Sequence, residues 1–178
     1  MAESVSPVTR FYSVRAKPCL WARIWITDDG CFSCLSDYGN YGYWWGAPGC
    51  EFRRFLTQVD DHYLTTKLQN GARDEYDGEA TLARVQGHIA AERRAKRLTG
   101  MEAKRERELL GKHDLVDGEH HLFCWWQESR LDWGDGGPGA YRTPIQLAAF
   151  VREVWPLFVA QLRAELATEA SPQEAAHG

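Results

Sequence analysis

Cys31-Phe32-Ser33-Cys34 has the C-x-x-C spacing of a zinc site, and Cys19 and Cys50 flank it. Four thiolates could hold a structural zinc, but the context opposes it. The pair falls in a strand-like alternation, where positions i and i+3 point to opposite faces. Bulky Phe32 also fills a place where a zinc knuckle carries a small residue, and no second C-x-x-C follows. Cys19, Cys31, Cys34 and Cys50 are therefore expected to be small hydrophobes with no metal bound. His120, His121 and Cys124 form a second cluster, with Glu119 and Glu128 beside it. On a helix His120 and Cys124 would share a face, yet no third ligand stands near them. Structural histidines, without metal or cofactor, are the expectation there.

Asp37, Tyr38 and Asn40 make a polar cluster at a strand end, where binding and catalytic groups often sit. The plainer reading is turn chemistry. Ser33, Ser36 and the cysteines lack the frame of an activated nucleophile. A small enzyme pairing Asp37 with His120 or His121 rests on residue types alone, and a binding protein is expected instead.

The densest feature is aromatic. Ser36-Asp37-Tyr38-Gly39-Asn40-Tyr41-Gly42-Tyr43-Trp44-Trp45 follows Trp21 and Trp25 within the first fifty residues. So many rings in so short a segment cannot all be ordinary core, and some must lie where a ring packs on one side and meets a partner on the other. Trp21, Trp25, Asp37, Tyr38, Asn40, Tyr41, Tyr43, Trp44 and Trp45 are the expected binding residues of this surface. Arg93, Arg94, Lys96 and Arg97 are the second group. From Arg84 to Lys112 nine Lys/Arg stand against four Glu, a local balance of +5 on a chain of net charge -4. A basic helix on an acidic body can orient a partner. With stacked aromatics it could also track single-stranded nucleic acid through Arg93–Arg107, although no RNA-recognition or zinc-finger signature accompanies it.

These groups need positioning. Arg10 to Ala16 reads as a strand closed by Lys17-Pro18. Leu20 to Thr27 alternates strictly, with Leu20, Ala22, Ile24 and Ile26 on one face. Asp28-Asp29-Gly30 is a turn, Cys31 to Asp37 a third strand, Gly39-Asn40 a second turn and Tyr41 to Trp45 a fourth strand. Phe52, Phe55, Leu56 and Val59 then fall at helical spacing. Asp61 is the expected cap of a short helix ending at Asn70-Gly71. Arg73 to Gly78 reads as loop. A helical pattern covers 79–112 with an interruption at Gly100, and residues 119–128 suit either helix or strand. Thr143-Pro144 should open the closing helix as N-cap and N1, with Pro156 bending or splitting it after Val154 or Trp155.

The fold expected is α+β: an antiparallel meander of three to four strands (8–46) against a mainly helical remainder (50–168), including a long charged helix and a C-terminal helix. One domain should span 1–168, with 169–178 a disordered tail. Few apolar residues follow Ala95, so self-association of the 79–112 helix through Leu98, Leu109 and Leu110 is also expected. No apolar run approaches the roughly 20 residues of a membrane span, and Met1 to Pro7 lacks the regions of a signal peptide. A cytoplasmic protein with reduced thiols follows as the default.

The motif Ser36-Asp37-Tyr38-Gly39-Asn40-Tyr41-x-Tyr43-x-Trp45, with Glu51-Phe52-x-x-Phe55-Leu56, resembles a group of small proteins encoded in bacteriophage and prophage genomes. The likeness covers about a third of the chain, chiefly 20–68, and the proline-bearing final helix is similar. It carries over no catalytic residues. It implies a phage accessory protein in a bacterial host cytoplasm. Such a protein would bind a host or phage macromolecule, first of all a protein, and inhibition of a bacterial defence complex is one form of that. Single-stranded nucleic acid is the alternative partner.

Overall fold

A computed structural model of the chain describes residues 6–16, 20–69 and 73–174. The architecture is α+β, with contacts gathering it into two compact units: 1–73 together with 144–178, and 74–143. Each unit has its own hydrophobic core.

The first unit begins with β1 (Thr9–Ala16), β2 (Leu20–Thr27), β3 (Cys31–Ser36) and β4 (Gly39–Trp44). They form one antiparallel meander in the order β1-β2-β3-β4. Strict alternation buries Tyr12, Val14, Ala22, Ile24, Ile26, Phe32 and Cys34 on one face, as a half-buried sheet requires. Asp28-Asp29-Gly30 makes the β2–β3 turn, with Gly30 at φ 96°. The β3–β4 turn differs from expectation: Asp37 and Tyr38 occupy it, and Gly39, at φ 114°, is the first strand residue, paired with Ser36. The Ser36 hydroxyl donates to the Gly39 carbonyl at 2.8 Å and accepts from the Tyr38 N–H, which closes the turn one step early. Lys17, Pro18, Cys19 and the Asn70-Gly71 helix end lie outside the described residues.

Helices α1 (Phe52–Leu56) and α2 (Asp61–Gln69) cover part of the inner face. The cap of α2 is Asp60 rather than Asp61: its carboxylate accepts from the Tyr63 N–H at 2.8 Å. The closing helical run is α6 (Ile145–Ala149), a five-residue π-helical turn (Phe150–Val154) and α7 (Trp155–Glu174). Pro144 takes the cap position itself, so Thr143 is not the cap. The helical run is not split at Pro156; the irregularity is the π-helical turn that ends just before Trp155. A proline at 156 has no N–H to give the Arg152 carbonyl and its ring crowds that oxygen. The chain responds by widening, and the Trp155 N–H bonds the Phe150 carbonyl five residues back.

By length and composition Ile145–Ala170 could cross a membrane. Leu147, Phe150, Val154, Phe158 and Leu162 instead face the sheet and are buried. α7 runs through Glu174, past the point where the polar tail was expected to begin. Arg53 helps hold it there: nearly buried, it donates twice to Glu169 at 2.7 Å, pairs with Glu51, and lies 3.6 Å from Glu165. Tyr12 donates to Glu165 at 2.9 Å, linking β1 to the same network.

The second unit holds β5 (Glu75–Tyr76), α3 (Gly78–Arg94), α4 (Gly100–Leu110), α5 (Glu119–Glu128) and β6 (Tyr141–Arg142). The stretch expected as loop at Arg73 to Gly78 includes β5, which pairs with β6. The interruption expected at Gly100 falls a few residues earlier and is complete: α3 ends at Arg94 and Gly100 is the first residue of α4, so the long charged helix is two helices. Lys96 sits at φ 62° and Thr99 starts α4 with a capping box, its hydroxyl and the Glu102 side chain each satisfying the other's backbone N–H. The turn folds α4 back on α3, so Leu109 is buried and Leu98 and Leu110 pack against the core of this unit. The leucines on which self-association of the helix rested are thus spent within the chain. Residues 119–128 are helix, burying Leu122 and Trp125.

Candidate interaction surface

Alternation divides the expected aromatic surface between two faces of the sheet. Tyr41, Tyr43 and Trp45 point inward with the core. Trp45 is only 5 % exposed, ringed by Phe32, Tyr43, Phe52 and Phe55 at centroid distances of 4.7–6.5 Å. Tyr41 packs on Phe150 at 4.8 Å, and its hydroxyl donates to the Tyr38 carbonyl. Tyr38 turns its phenol to the Glu153 carboxylate, a bond that raises the tyrosine pKa and lowers that of Glu153. These four rings join strands to helices. Trp44, one residue from Trp45, is 62 % exposed on the other side.

The outer face is therefore the open one. The register sets Phe11 across from Trp25, and Arg15 across from Trp21. Arg23 lies between Ser13 and Leu35, and Cys31 faces Trp44. Phe11, Trp21, Leu35 and Trp44 are exposed and Trp25 half-buried. Phe11 and Trp25 touch across the strands, centroids 5.4 Å apart, and Trp44 is held by an indole bond to the Asp29 carbonyl at 2.9 Å. Among outward strand positions the charged residues are Arg15 and Arg23, and no carboxylate stands there. Such a face is apolar, ringed with π surface and weakly cationic. Phe11, Arg15 and Arg23 were missed in the sequence, though the period of two that exposes Trp21 and Trp25 also applies to β1.

Asp37 is a brace rather than a free acid. Its carboxylate accepts from the Trp21 N–H at 2.8 Å, and its own N–H donates to the Trp21 carbonyl at 3.3 Å. Asn40 is exposed on β4. His120 and His121 belong to the second unit, on α5, where His120 Nε2 and Cys124 Sγ lie 3.6 Å apart and His121 faces Asp117 at 3.5 Å.

The basic group also lies in the second unit. Arg93, Arg94, Lys96 and Arg97 are exposed at the α3–α4 turn. Arg97 is bound doubly by Glu92 at 2.6 and 2.7 Å, and Lys104 lies 3.6 Å from Glu108. Glu106, wholly buried, accepts from Arg105, the Ser129 hydroxyl and the Arg130 N–H at 2.8–3.2 Å. Part of the positive charge is thus neutralised locally, the behaviour of a solvated face.

Cys31 and Cys34 point to opposite sides of β3, Cys34 into the core. Among the described residues no three His, Cys, Asp or Glu side chains converge as metal ligands; Cys19 lies outside them. Burial pushes the Cys34 thiol up to about 12, while Cys50 is exposed. Only a thiolate alkylates. Iodoacetamide at pH 8 is expected to label Cys50 in the folded protein and Cys34 only after denaturation, read by peptide mass mapping; early labelling of Cys34 would contradict its burial.

Neither curated proteins nor solved structures give a match to this chain. A family model matches residues 1–163, nearly the whole molecule. The chain with this two-faced aromatic sheet belongs to the phage family Phage_phiTE_072.

Proposed function

We propose that this phage-family protein is an accessory factor that binds a protein partner through the outer face of its sheet, in the cytoplasm of the bacterial host. The observation that carries the reading is the set Phe11, Trp21, Leu35 and Trp44, exposed together with half-buried Trp25 on one side of a sheet whose other side is filled. Tryptophan and arginine dominate interface energies, and contiguous apolar surface is uncommon on a chain that binds nothing. Arg15 and Arg23, with no carboxylate on the strand positions, favour an acidic partner surface. A component of a host defence complex is one such partner.

Capture from bacterial lysate with nuclease present tests this, comparing the natural chain with a Phe11→Ala/Trp25→Ala variant. Each ring, as an interface anchor, contributes about 2 kcal/mol, near thirtyfold in affinity. A stoichiometric protein that survives nuclease and is lost with the double variant is the expected result. Capture that disappears with nuclease would move the face to single-stranded nucleic acid, and capture indifferent to both rings would end the reading.

A further inference from the structure

The sheet has two open edges, β1 and β4, and they are not alike. β1 carries Arg10 and Arg15, the kind of charge that discourages edge pairing. β4 reads Gly39-Asn40-Tyr41-Gly42-Tyr43-Trp44, with no charge and no proline. Its backbone orientation follows from its neighbour. The Trp45 N–H donates to the Gly30 carbonyl at 2.9 Å, so the odd-numbered residues turn their backbone groups to β3 and Asn40, Gly42 and Trp44 turn theirs to the open side. No backbone partner meets these three among the described residues, and all three are exposed.

We propose that β4 pairs antiparallel with β4 of a second copy about a two-fold axis at Gly42, joining two four-stranded sheets into one of eight strands. The sequence of the edge supports this occupant over an unrelated strand. With Gly42 opposite Gly42, Asn40 of one copy falls opposite Trp44 of the other, so all three free residues pair at once and in the hydrogen-bonded register. The contact is isologous, as closed dimers require. No charge repels across it, and glycine at the axis keeps large or charged side chains away from where the strands cross the two-fold. On the inner side Tyr43 of one copy comes beside Tyr41 of the other. There Tyr41 lines a groove of about 380 Å³ with Leu68, Pro144 and Leu147, room for an incoming ring. The same pairing makes the two outer faces continuous, which would present the aromatic surface twice to a partner.

Sedimentation velocity of the full chain over a wide concentration range tests the pairing, with Gly42→Ala and Gly42→Lys compared. A Cβ at Gly42 comes no nearer than 3.4 Å to its closest neighbour, the Phe32 carbonyl oxygen, and the φ there is ordinary, so neither variant strains the backbone, and circular dichroism of both is expected to match the natural chain. The natural chain and Gly42→Ala should show a reversible dimer that grows with concentration. Gly42→Lys, which sets two like charges opposite each other, should weaken it about fivefold. Hydrogen exchange should slow at Asn40, Gly42 and Trp44 as concentration rises. A mass that stays monomeric at every concentration overturns the proposal. So does a dimer that Gly42→Lys leaves intact, or one lost in Phe11→Ala/Trp25→Ala, which would place the contact on the outer face.

Discussion

Phe158→Ala is expected to cost the sheet-bearing unit about 3–5 kcal/mol, the usual loss for a buried phenylalanine. Phe158 is fully buried and stands where helix α7 meets the sheet. Its ring lies 5.1 Å from Tyr12 of β1, 6.1 Å from Phe32 of β3 and 5.4 Å from Trp155. Truncation removes one ring and leaves three others facing a void, so both the transfer loss and the cavity loss apply. The surrounding aromatics are large and stiff, and the site cannot collapse to fill the space. Urea unfolding followed by circular dichroism should show the midpoint fall, with Phe11→Ala as control. Phe11 is more than half exposed, and its truncation should cost no more than about 1 kcal/mol, mostly its contact with Trp25. Equal losses in the two variants would mean that α7 does not form the core contact described.

Gly30→Ala should be nearly as damaging, although it adds a single methyl group. Two causes act together. The φ of 96° is unfavourable for any residue with a Cβ, worth about 1–3 kcal/mol. A Cβ built there would also lie 2.1 Å from the Trp45 carbonyl oxygen, a backbone atom that cannot swing aside. Relief requires the start of β3 to part from the end of β4, which pulls Trp45 out of its aromatic ring of neighbours; overpacking of this kind adds a similar 1–3 kcal/mol. Gly42→Ala is the matching control, since it meets neither obstacle and should lie within about 1 kcal/mol of the natural chain. A thermal melt read by tryptophan fluorescence reports both, and a Gly30→Ala chain as stable as Gly42→Ala would contradict the turn geometry.

The two variants also separate stability from binding. Phe158 and Gly30 lie in or behind the core, so their effects on partner capture should follow the loss of folded protein. Phe11 and Trp25 sit on the open face, where truncation should remove capture from a protein that still folds. That difference makes a role of the outer face distinguishable from a role of the fold.

Much of this was legible in the residues because it depended on local physics. The alternation of Leu20 to Thr27 placed β2 to the residue, since a period of two with one apolar face admits only one register. Asp28-Asp29-Gly30 declared its turn through the need for positive φ, and Pro156 marked the place of the π-helical turn before Trp155 through its missing N–H. What depended on distant partners was not legible. Trp44 and Trp45 are chemically identical neighbours. One anchors the core and the other meets solvent, because the pleat sends them to opposite faces and the helices cover one face only. Leu98, Leu109 and Leu110 looked unpartnered along the chain until the Thr99 capping box folded α4 back on α3. The sequence alone determined the antiparallel meander, the helical character of most of the remainder and that aromatic residues would crowd the sheet, but not the short β5 within 73–78 or the state of 119–128. Only the tertiary structure decided which rings are free to bind, because burial is a property of what packs against a residue and not of the residue itself.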